Sequence, residues 1–388
     1  MNIAAKMAGF PPSIFLRMAA AEEKARAQGL SIVNLGIGTP DLPPPPEAVA
    51  ALTRAAAEPG NYRYSLTDLP EYIDAGLAHY RRNFGVTLAR ENLCGLIGSQ
   101  DALAHLPLAL LNPGDVALLP NPGYPMFRTG PLLASAEMHE TRLDEETGYL
   151  PDLEAIPADV AHRAKLLYIS YPANPLGKLA APGFFERAVW FARKYDVAIL
   201  HDNAYGDLVF DGRMPESFLA AKGASEVGVE LYSLSKSFNM TGARASYAAG
   251  HPGILKALLD IKSSIDYGMF FPVQHAAVAA LAQAEVFLDG QRRAYQRRRD
   301  ALIAGLRENG WNVEPPEGSM FVWARLPGRF ADSLSFVTDL LESAGVSLVP
   351  GISFGSLGEG FVRIALTRPE DVLRDCAQRI GVFLRAHT

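Results

Sequence analysis

Residues 233 to 245 read SLSKSFNMTGARA, in which Lys236 stands among small hydroxyl and glycine residues. The preceding run, VGVELYSLS, has the β-branched and aromatic content of a buried strand that ends at this lysine. A buried ammonium group is costly unless another group compensates its charge. The side chain of Lys236 therefore either reaches solvent, or is held unprotonated, or is bonded to another group.

Outward from this stretch, short apolar runs alternate with amphipathic segments such as GFFERAVWFARKYD, whose apolar residues recur at helical spacing. Strands that alternate with helices are typical of an α/β fold, in which helices cover both faces of a mostly parallel sheet. The sequence predicts a large sheet of this kind. The seven predicted strands cover residues 93–97, 116–120, 137–143, 165–171, 197–201, 229–234 and 245–249.

The length of 388 residues and the apolar content of 49% predict two domains, one large and one small. After about residue 285 the pattern changes to a long basic helix, followed by the strand-like stretches SMFVWARL and GFVRIAL. Helices are predicted to begin at Ser333 and Pro369, which indicates a smaller α+β domain. The expected boundaries are an N-terminal arm at 1–40 that belongs with the small domain, a large domain at 41–284 and the small domain at 285–388.

The net charge of −6 argues against nucleic acid or an anionic membrane as a partner. A basic cluster, Arg297, Arg298 and Arg299, lies in a helical pattern and is expected to form a solvated helix face. No run of about eighteen apolar residues occurs, so no membrane span is expected. The only two cysteines, Cys94 and Cys376, show neither metal-ligand spacing nor a disulfide framework, which favours a reducing cytoplasm.

In an open α/β sheet the ligand binds at the carboxyl ends of the strands, so the polar residues there are candidate site residues. In LIGSQDALAHL an apolar run ends at Ser99, where a helix is predicted to begin. Such a helix N-terminus offers backbone N–H groups and a hydroxyl to an anion, although a plain N-cap serine has the same pattern. Ser233 and Ser235 flank the lysine at another strand end, and Arg244 follows. Together these groups predict a phosphate site.

Three further strand ends carry polar or aromatic side chains. Asn174 in YISYPANPLGK lies between prolines that would hold its amide at a fixed angle. Asp202 in VAILHDNAYGDLVF ends an apolar strand, where a carboxylate needs a partner, and Tyr205 follows it. Tyr124 in PNPGYPMF could stack on a flat ligand. A turn asparagine, a helix N-cap and a packing ring are the ordinary alternatives.

One cofactor needs all of these groups at once. Pyridoxal 5′-phosphate has an aldehyde that forms a Schiff base with lysine and a pyridine nitrogen that a carboxylate keeps protonated. It also has a phenolic oxygen, a phosphate and a flat ring. This cofactor accounts for Lys236, because a Schiff-base nitrogen avoids the cost of a buried free ammonium.

Eight motifs in order, spread over nearly the whole chain, resemble the class I/II aminotransferases of the fold-type I pyridoxal-phosphate superfamily. The stretches IDYGMFFPVQ, YQRRRDALIAGL and SMFVWARLP are similar in texture to the alanine, LL-diaminopimelate and N-acetyl-diaminopimelate aminotransferases. The resemblance implies a fold-type I α/β large domain that binds the cofactor, plus the small domain. The eight motifs are NLGIGTPD, YRYS, GSQDAL, PNPGYP, YPANPLG, HDNAYGDL, SLSKSFNMTGAR and GEGFVRIAL.

The resemblance also implies a role for each matching residue. Lys236 would bond the cofactor aldehyde and Asp202 would pair with the ring nitrogen. Asn174 and Tyr205 would contact the phenolic oxygen, and Tyr124 would stack on the ring. The residues implied for the phosphate are Ser99, Gln100, Ser233, Ser235 and Arg244, with Tyr64 from a partner subunit, so that a homodimer with shared active sites is expected.

For the substrate, the resemblance implies that Arg363 binds the α-carboxylate, with the Gly38 backbone and Asn174 close by. A guanidinium suits this task because it binds a carboxylate through two parallel hydrogen bonds. An ordinary strand arginine is the alternative, but it would point a charge toward a buried sheet. Two positions depart from the family pattern, Leu176 in place of threonine and Ala243 in place of tryptophan, which puts local packing and substrate shape in question.

The expected reaction is ping-pong transamination between an L-amino acid and a 2-oxo acid, without a metal. Glutamate and 2-oxoglutarate are expected as one pair, and alanine or an LL-diaminopimelate-type amino acid as the other donor. A β-lyase, a decarboxylase or an acyl-transferring synthase on the same fold remains an alternative. An aminotransferase-like half of a transcription regulator would need a DNA-binding domain, for which there is no spare length before residue 30. A nicotinamide dehydrogenase is disfavoured because GIG at 36–38 continues as TPD.

Overall fold

The computed structural model describes residues 2–10, 14–328, 330 and 332–387. Its largest feature is a seven-stranded sheet of order β2-β8-β7-β6-β5-β3-β4. The strands are β1 (Val33–Asn34), β2 (Leu93–Ile97), β3 (Val116–Asn121), β4 (Glu137–Arg142), β5 (Ala164–Ile169), β6 (Ala198–Asp202), β7 (Gly228–Ser233), β8 (Ala245–Gly250), β9 (Phe321–Arg325), β10 (Val346–Ser347), β11 (Val349–Pro350) and β12 (Phe361–Ala365).

The α-helices lie between these strands and at both ends of the chain. They are α1 (Ile14–Ala27), α2 (Pro46–Ala56), α3 (Pro70–Phe84), α4 (Ser99–Leu110), α5 (Thr129–Leu133), α6 (Ala158–Arg163), α7 (Phe184–Tyr195), α8 (Leu234–Ser237), α9 (Pro252–Lys262), α10 (Phe271–Ala282), α11 (Ala284–Glu308), α12 (Ser333–Ala344) and α13 (Glu370–Ala386). The helices predicted to start near residues 333 and 369 are thus present.

The seven predicted strands are all present, and the α/β fold class is confirmed. Only β8 runs antiparallel to its neighbours; the pairs β7-β6, β6-β5, β5-β3 and β3-β4 are parallel. β5 ends at Ile169, two residues earlier than expected. The chain then turns into the loop that contains Pro172, and proline has no N–H group to continue a ladder.

Both faces of this sheet are buried, which explains why its strands read as apolar runs. Leu118 and Leu167 pack into a core with α3, α7 and α10. Their neighbours Leu119 and Leu166 point to the opposite face, into a core with α4 and α9. Side chains alternate between the faces of a strand, so consecutive apolar residues serve both cores.

A separate core, apart from the two that cover the faces of the large sheet, lies around the three-stranded antiparallel sheet β11-β12-β9, with α11, α12 and α13. The N-terminal segment joins it, since β1 pairs in parallel with β10 and Leu35 is buried there. Leu208 and Phe210, which follow β6, also belong to this core. Residues from the middle of the chain thus contribute to this core. The domain boundaries at residues 40 and 284 stay a prediction.

The expected solvated face of α11 is wrong for two of its three arginines. Arg298 and Arg299 are each only 5% exposed, whereas Arg297 is exposed. The Arg298 guanidinium forms a two-bond fork with the Asp41 carboxylate at 2.7 and 2.9 Å, and Arg299 forms one with Asp211, both bonds at 2.7 Å. These carboxylates satisfy charges that burial would otherwise penalise.

Among the residues that the structure describes, no helix combines the length and the apolar character needed to cross a membrane. Cys94 and Cys376 are both buried and unpaired. Their reducing, cytoplasmic location stays a prediction from the sequence.

Candidate active site

The carboxyl ends of three parallel neighbours, β5, β6 and β7, lie at one edge of the large sheet. Asn174 follows β5, Asp202 is the last residue of β6, and Lys236 follows β7 within the short helix α8. The sheet order therefore brings together residues that are far apart in the sequence, as the strand-end pattern predicted.

Lys236 is partly buried at this edge, and its Nζ donates to the Gly38 carbonyl oxygen at 2.7 Å. Burial lowers the pKa of Lys236 to about 8; the positive charges of Arg363 and Arg244 add to this effect, and Asp202 opposes it. An amine with this pKa has a substantial neutral fraction near neutral pH, which a nucleophilic or proton-accepting lysine needs. A Cβ on Gly38 would overlap the Phe321 ring, so only glycine allows the backbone this close.

Asp202 is a buried carboxylic acid, and the groups around it do not fully offset the cost of burying its negative charge. Burial raises the pKa of Asp202 to about 6, although His201, the Ala204 N–H and Lys236 favour the ionised form. The Ala204 N–H donates to Oδ1 at 3.3 Å. A cationic partner at this position would hold the carboxylate ionised, as a protonated ring nitrogen does.

Arg363 is only 2% exposed and lies in β12, across the site from the strand ends. Its Nη1 donates to Asn174 Oδ1 at 3.0 Å, and its Nη2 donates to the Gly36 carbonyl oxygen at 2.6 Å. The Phe321 and Phe354 rings hold the guanidinium carbon at 4.0 and 4.9 Å from their centroids. Burial lowers the pKa of Arg363 to about 10, so the group stays cationic at neutral pH and favours an incoming carboxylate.

Two tyrosines complete the walls of the site. Asn174 Nδ2 donates to Tyr205 Oη at 3.5 Å, and Tyr205 is buried. Burial raises the pKa of both Tyr124 and Tyr205, and Asp202 raises them further while Arg363 opposes the rise. Both phenols therefore stay neutral, and both respond to the charges of Asp202 and Arg363 in the same site.

The helix α4 begins at the candidate phosphate site. Its N-cap, Gly98, has a φ of 78°, and a Cβ at this position would overlap the Arg244 guanidinium. The Ser99 Oγ is buried and has no hydrogen-bond partner among the described residues. A hydroxyl without a partner, a guanidinium and a helix N-terminus thus face the same small region, which suits an anion such as phosphate.

Ser233 is the last residue of β7, and Ser235 lies in α8. The hydrogen bonds described for them join them to each other and to Ser246. Ser233 Oγ caps α8 by accepting from the Ser235 N–H at 3.2 Å, and the Ser246 Oγ donates to it at 3.1 Å. A role of both serines in phosphate binding stays a prediction.

Gln100 and Tyr64 are more exposed than the other predicted site residues. The Gln100 Nε2 donates to Tyr124 Oη at 3.4 Å, which orients the ring that was expected to stack on a flat ligand. Tyr64 is 76% exposed, and its ring lies 5.1 Å from that of Tyr267. Its described contacts are therefore outside the site of its own chain.

The sequence interpretation missed the role of Gly36. The Gly38 backbone was expected to approach the substrate carboxylate, which stays a prediction; in the structure the Gly36 carbonyl accepts from Arg363 and the Gly38 carbonyl accepts from Lys236. The chain bends at Gly36, where Asn34 Oδ1 accepts from the Gly36 and Ile37 N–H groups. The asparagine two residues before Gly36 could have indicated this bend. The Thr367 Oγ1 donates to the Ile37 carbonyl at 3.0 Å and holds this segment.

The two departures from the family pattern are in packed positions. Leu176 is buried in the core between the sheet and α7, and Ala243 packs against the same core. Their described contacts thus concern packing, while the polar groups of the site come from other residues.

Comparisons with known proteins show what the whole chain is similar to. The family model for aminotransferase class I and II matches residues 31–380. The LL-diaminopimelate aminotransferase of Moorella thermoacetica is 42% identical over 382 residues, 98% of each chain, and that of Dehalococcoides mccartyi is 40% identical over 388 residues, 100% of each chain. Among solved structures, substrate-bound BacF from Bacillus subtilis has a TM-score of 0.95 at 39% identity, with 98% of each chain covered. A probable N-succinyldiaminopimelate aminotransferase from Thermus thermophilus has a TM-score of 0.90 at 39% identity, with 96% of this chain and 100% of that chain covered.

Proposed function

The chain belongs to the class I and II aminotransferases, and we propose that it moves an amino group between an LL-diaminopimelate-type amino acid and the glutamate/2-oxoglutarate pair. Enzymes of this family use pyridoxal phosphate, and their substrates are an amino acid and a 2-oxo acid. The observation that carries the chemistry is the partly buried Lys236 amine, which lies 2.7 Å from the Gly38 carbonyl oxygen at the sheet edge where β6 ends in Asp202. The diamino substrate is supported by relatives of that name, 39 to 42% identical over nearly the whole chain.

The residues present fit the cofactor group by group. We assign its phosphate to the Ser99 hydroxyl without a partner, the N-terminal N–H groups of α4 and Arg244. The raised pKa of Asp202 supports its pairing with the ring nitrogen. When bound, pyridoxal phosphate supplies an aldehyde that bonds amines and a ring that withdraws electrons from the substrate Cα. Tyr124 would stack on this ring, and Asn174 and Tyr205 would contact its phenolic oxygen.

Lys236 and Arg363 then have different roles toward the substrate, which are proton transfer and carboxylate binding. Arg363 binds the α-carboxylate and thereby fixes where the Cα–H bond points. The Lys236 Nζ would take the substrate Cα proton as a general base. As a general acid it would then deliver this proton to the cofactor carbon that carried the aldehyde. Gly38 holds Nζ near the Arg363 side of the site, since its carbonyl accepts from that amine.

Arg363→Lys should raise KM for the amino acid more than it lowers kcat. Lysine keeps the charge but loses the bidentate fork, so we expect kcat/KM to fall roughly ten- to hundredfold. Steady-state kinetics with the preferred donor measure this change. Arg325→Lys, an exposed residue of the neighbouring strand β9, is the matched control and should have little effect. An unchanged KM in Arg363→Lys would contradict the assigned carboxylate contact.

A homodimer is the second part of the proposal. Around Tyr64 the surface carries a cluster of exposed aromatic and apolar side chains, in which the Tyr62 and Phe270 rings lie 5.3 Å apart and Tyr64 packs on Tyr267. Exposed apolar patches of this kind mark association surfaces. Tyr64 would extend from this surface to the phosphate site of the partner subunit. The exposed members are Tyr62, Tyr64, Leu66, Ile265, Tyr267 and Phe270.

Mixed dimers test this arrangement directly. If Tyr64 serves the partner's site, a dimer of one Lys236→Ala chain and one Tyr64→Ala chain has one fully intact site and one that lacks both groups. The two chains are coexpressed with different tags, and the mixed dimer is isolated by purification on both tags. It should then have about half of the wild-type activity, since one of its two sites is complete. If Tyr64 acted in its own chain, the mixed dimer would show no gain over the Tyr64→Ala protein.

The donor is identified by half-reactions without a 2-oxo acid. Conversion of the cofactor absorbance is recorded with LL-diaminopimelate, glutamate, alanine and N-succinyl-LL-diaminopimelate, one at a time. We expect conversion by LL-diaminopimelate and glutamate. If LL-diaminopimelate gives no conversion, while glutamate and either alanine or the succinylated compound do, the proposed diamino substrate is overturned. The proposed aminotransferase reaction would stay in place. Release of ammonia and pyruvate from a donor with a β leaving group would indicate the β-lyase instead.

A further inference from the structure

A buried ionic cluster lies under the first turn of α4, away from the substrate. Lys262, the last residue of α9, is only 3% exposed. Its Nζ contacts the Asp101 carboxylate and lies 2.9 Å from Asp266 Oδ2. His105 Nδ1 donates to Asp101 Oδ1 at 2.7 Å, one turn further along the same helix. None of these residues has a role in the reaction described above.

Asp101 is placed where a negative charge opposes the binding of phosphate. It follows Ser99 by two residues, and a helix rises about 1.5 Å per residue, so both belong to the same turn. The Ile97 N–H donates to Asp101 Oδ2 at 2.9 Å, which bends the carboxylate back toward the N-terminus of α4. A carboxylate stabilises a helix N-terminus, but in a buried region it also repels a second anion bound there.

Lys262 supplies the charge that compensates Asp101. Burial alone would lower the pKa of Lys262, but the Asp101 and Asp266 carboxylates outweigh it and the net pKa is raised. The group is therefore an ammonium at neutral pH. Asp101, His105 and Asp266 have the composition of a cation site, and the Lys262 ammonium contacts both of these carboxylates. Asp68, which accepts the Gly95 N–H at 2.7 Å, adds a further acidic group nearby.

We propose that Lys262 is a positioning residue for the cofactor phosphate. Its ammonium neutralises Asp101 beneath α4, so that the N-terminus of this helix, Ser99 and Arg244 present a positive potential to the phosphate dianion. Without Lys262, Asp101 would keep its hydrogen bonds from His105 and the Ile97 N–H but lose its ammonium partner. The phosphate would then meet the charge of a buried carboxylate in the same helical turn. This inference rests on the proposed function, since it concerns the pyridoxal-phosphate site.

Lys262 also contacts the loop that follows α9, both through its ammonium, which lies 2.9 Å from Asp266 Oδ2, and through its backbone carbonyl. The Lys262 carbonyl accepts the N–H groups of residues 265 and 266, and Asp266 Oδ1 accepts the Gly268 N–H at 2.8 Å. Gly268 packs so closely on Ser65 that a Cβ would overlap the Ser65 carbonyl oxygen. Lys262 thus connects the phosphate-binding helix of one chain with the segment that carries Tyr64.

The test compares two forms of the cofactor that differ only in the phosphate. Dissociation constants of pyridoxal phosphate and of pyridoxal are measured by tryptophan fluorescence and visible absorbance, on wild-type protein freed of cofactor and on Lys262→Met. We expect Lys262→Met to weaken pyridoxal phosphate roughly ten- to hundredfold and pyridoxal less than about threefold. Lys256→Met is the matched control, because Lys256 lies on the same helix in an exposed pair with Asp260. It should change neither constant.

A double variant separates charge compensation from a general loosening of the fold. Adding Asp101→Asn to Lys262→Met removes the uncompensated carboxylate, so most of the pyridoxal-phosphate affinity should return. Equal weakening of both compounds, no weakening of either, or selective weakening that Asp101→Asn does not rescue would overturn the proposal. Wild-type protein that binds neither compound would instead overturn the proposed function.

If Lys262→Met does not fold, Asp101→Asn alone decides the question. Asparagine keeps an oxygen for the Ile97 N–H and removes only the negative charge. The affinity for pyridoxal phosphate should then stay the same or increase, with pyridoxal unchanged. A selective loss of pyridoxal-phosphate affinity in Asp101→Asn would overturn the role assigned to Lys262.

Discussion

Lys236→Ala is expected to lower kcat by about four powers of ten or more, because one side chain serves both as the covalent attachment and as the proton carrier. Alanine leaves no group in the site to take the substrate Cα proton. The Gly38 carbonyl also loses the donor that lies 2.7 Å away. Steady-state transamination with the preferred donor measures the loss, and substantial remaining activity would refute the assignment of Lys236.

Two controls identify which property of Lys236 matters. Lys236→Arg keeps a positive charge, but a guanidinium stays protonated and cannot accept the proton, so it should be as inactive as alanine. Small primary amines added to Lys236→Ala should restore part of the activity, because they supply the missing proton acceptor. Full activity in Lys236→Arg would mean that the charge alone is needed.

Asp202→Asn should lower kcat/KM by about two to four powers of ten. Loss of one member of a buried charge pair costs about 3 to 5 kcal/mol, and each 1.36 kcal/mol is a factor of ten. Asparagine has nearly the same shape but cannot hold the ring nitrogen of the cofactor protonated. The measurement is kcat/KM for both half-reactions, and an unaffected value would contradict the assigned pairing.

The stability of the cofactor-free protein provides an independent check on Asp202. Burial raises the pKa of this carboxyl from 3.8 to about 6, so folding favours its protonated form. Its contribution to stability is complete below about pH 4 and is lost as the pH rises through about 6, a change of roughly 3 kcal/mol. Asp202→Asn should remove this pH dependence without destabilising the protein at pH 8. Urea unfolding between pH 4 and 8 measures it.

The elements of the large sheet were predictable because each strand is buried on both faces. Leu118 and Leu119 serve opposite cores, so burial appears in the sequence as a continuous apolar run. The ends of these runs also identified Asn174, Asp202 and Lys236, since a polar residue that ends a buried strand in a parallel sheet lies at the ligand edge. The end of β5 was predicted less well because Tyr171 is a buried aromatic residue, a type common in strands, although it lies beyond the end of β5.

The arginines of α11 were not predictable in the same way. Arg298 and Arg299 read as a solvated cluster because helical periodicity shows only which residues share a face. Whether that face is buried depends on Asp41, 257 residues away, and Asp211, 88 residues away. A local pattern carries no information about partners at such distances.

The sequence by itself determined the fold class and the family, and it predicted which kinds of chemical group the candidate site contains. Only the tertiary structure decided which distant residues are in contact. Arg363 donates to the Gly36 carbonyl, 327 residues away in the sequence, and Lys236 donates to the Gly38 carbonyl, 198 residues away. Lys262 contacts Asp101, 161 residues away. These contacts and the shifted pKa values of Lys236 and Asp202 arise from charge and burial in three dimensions. These contacts and pKa shifts depend on which distant segments pack around each titratable group and exclude water from it. The periodicity of strands and helices carries no information about that packing.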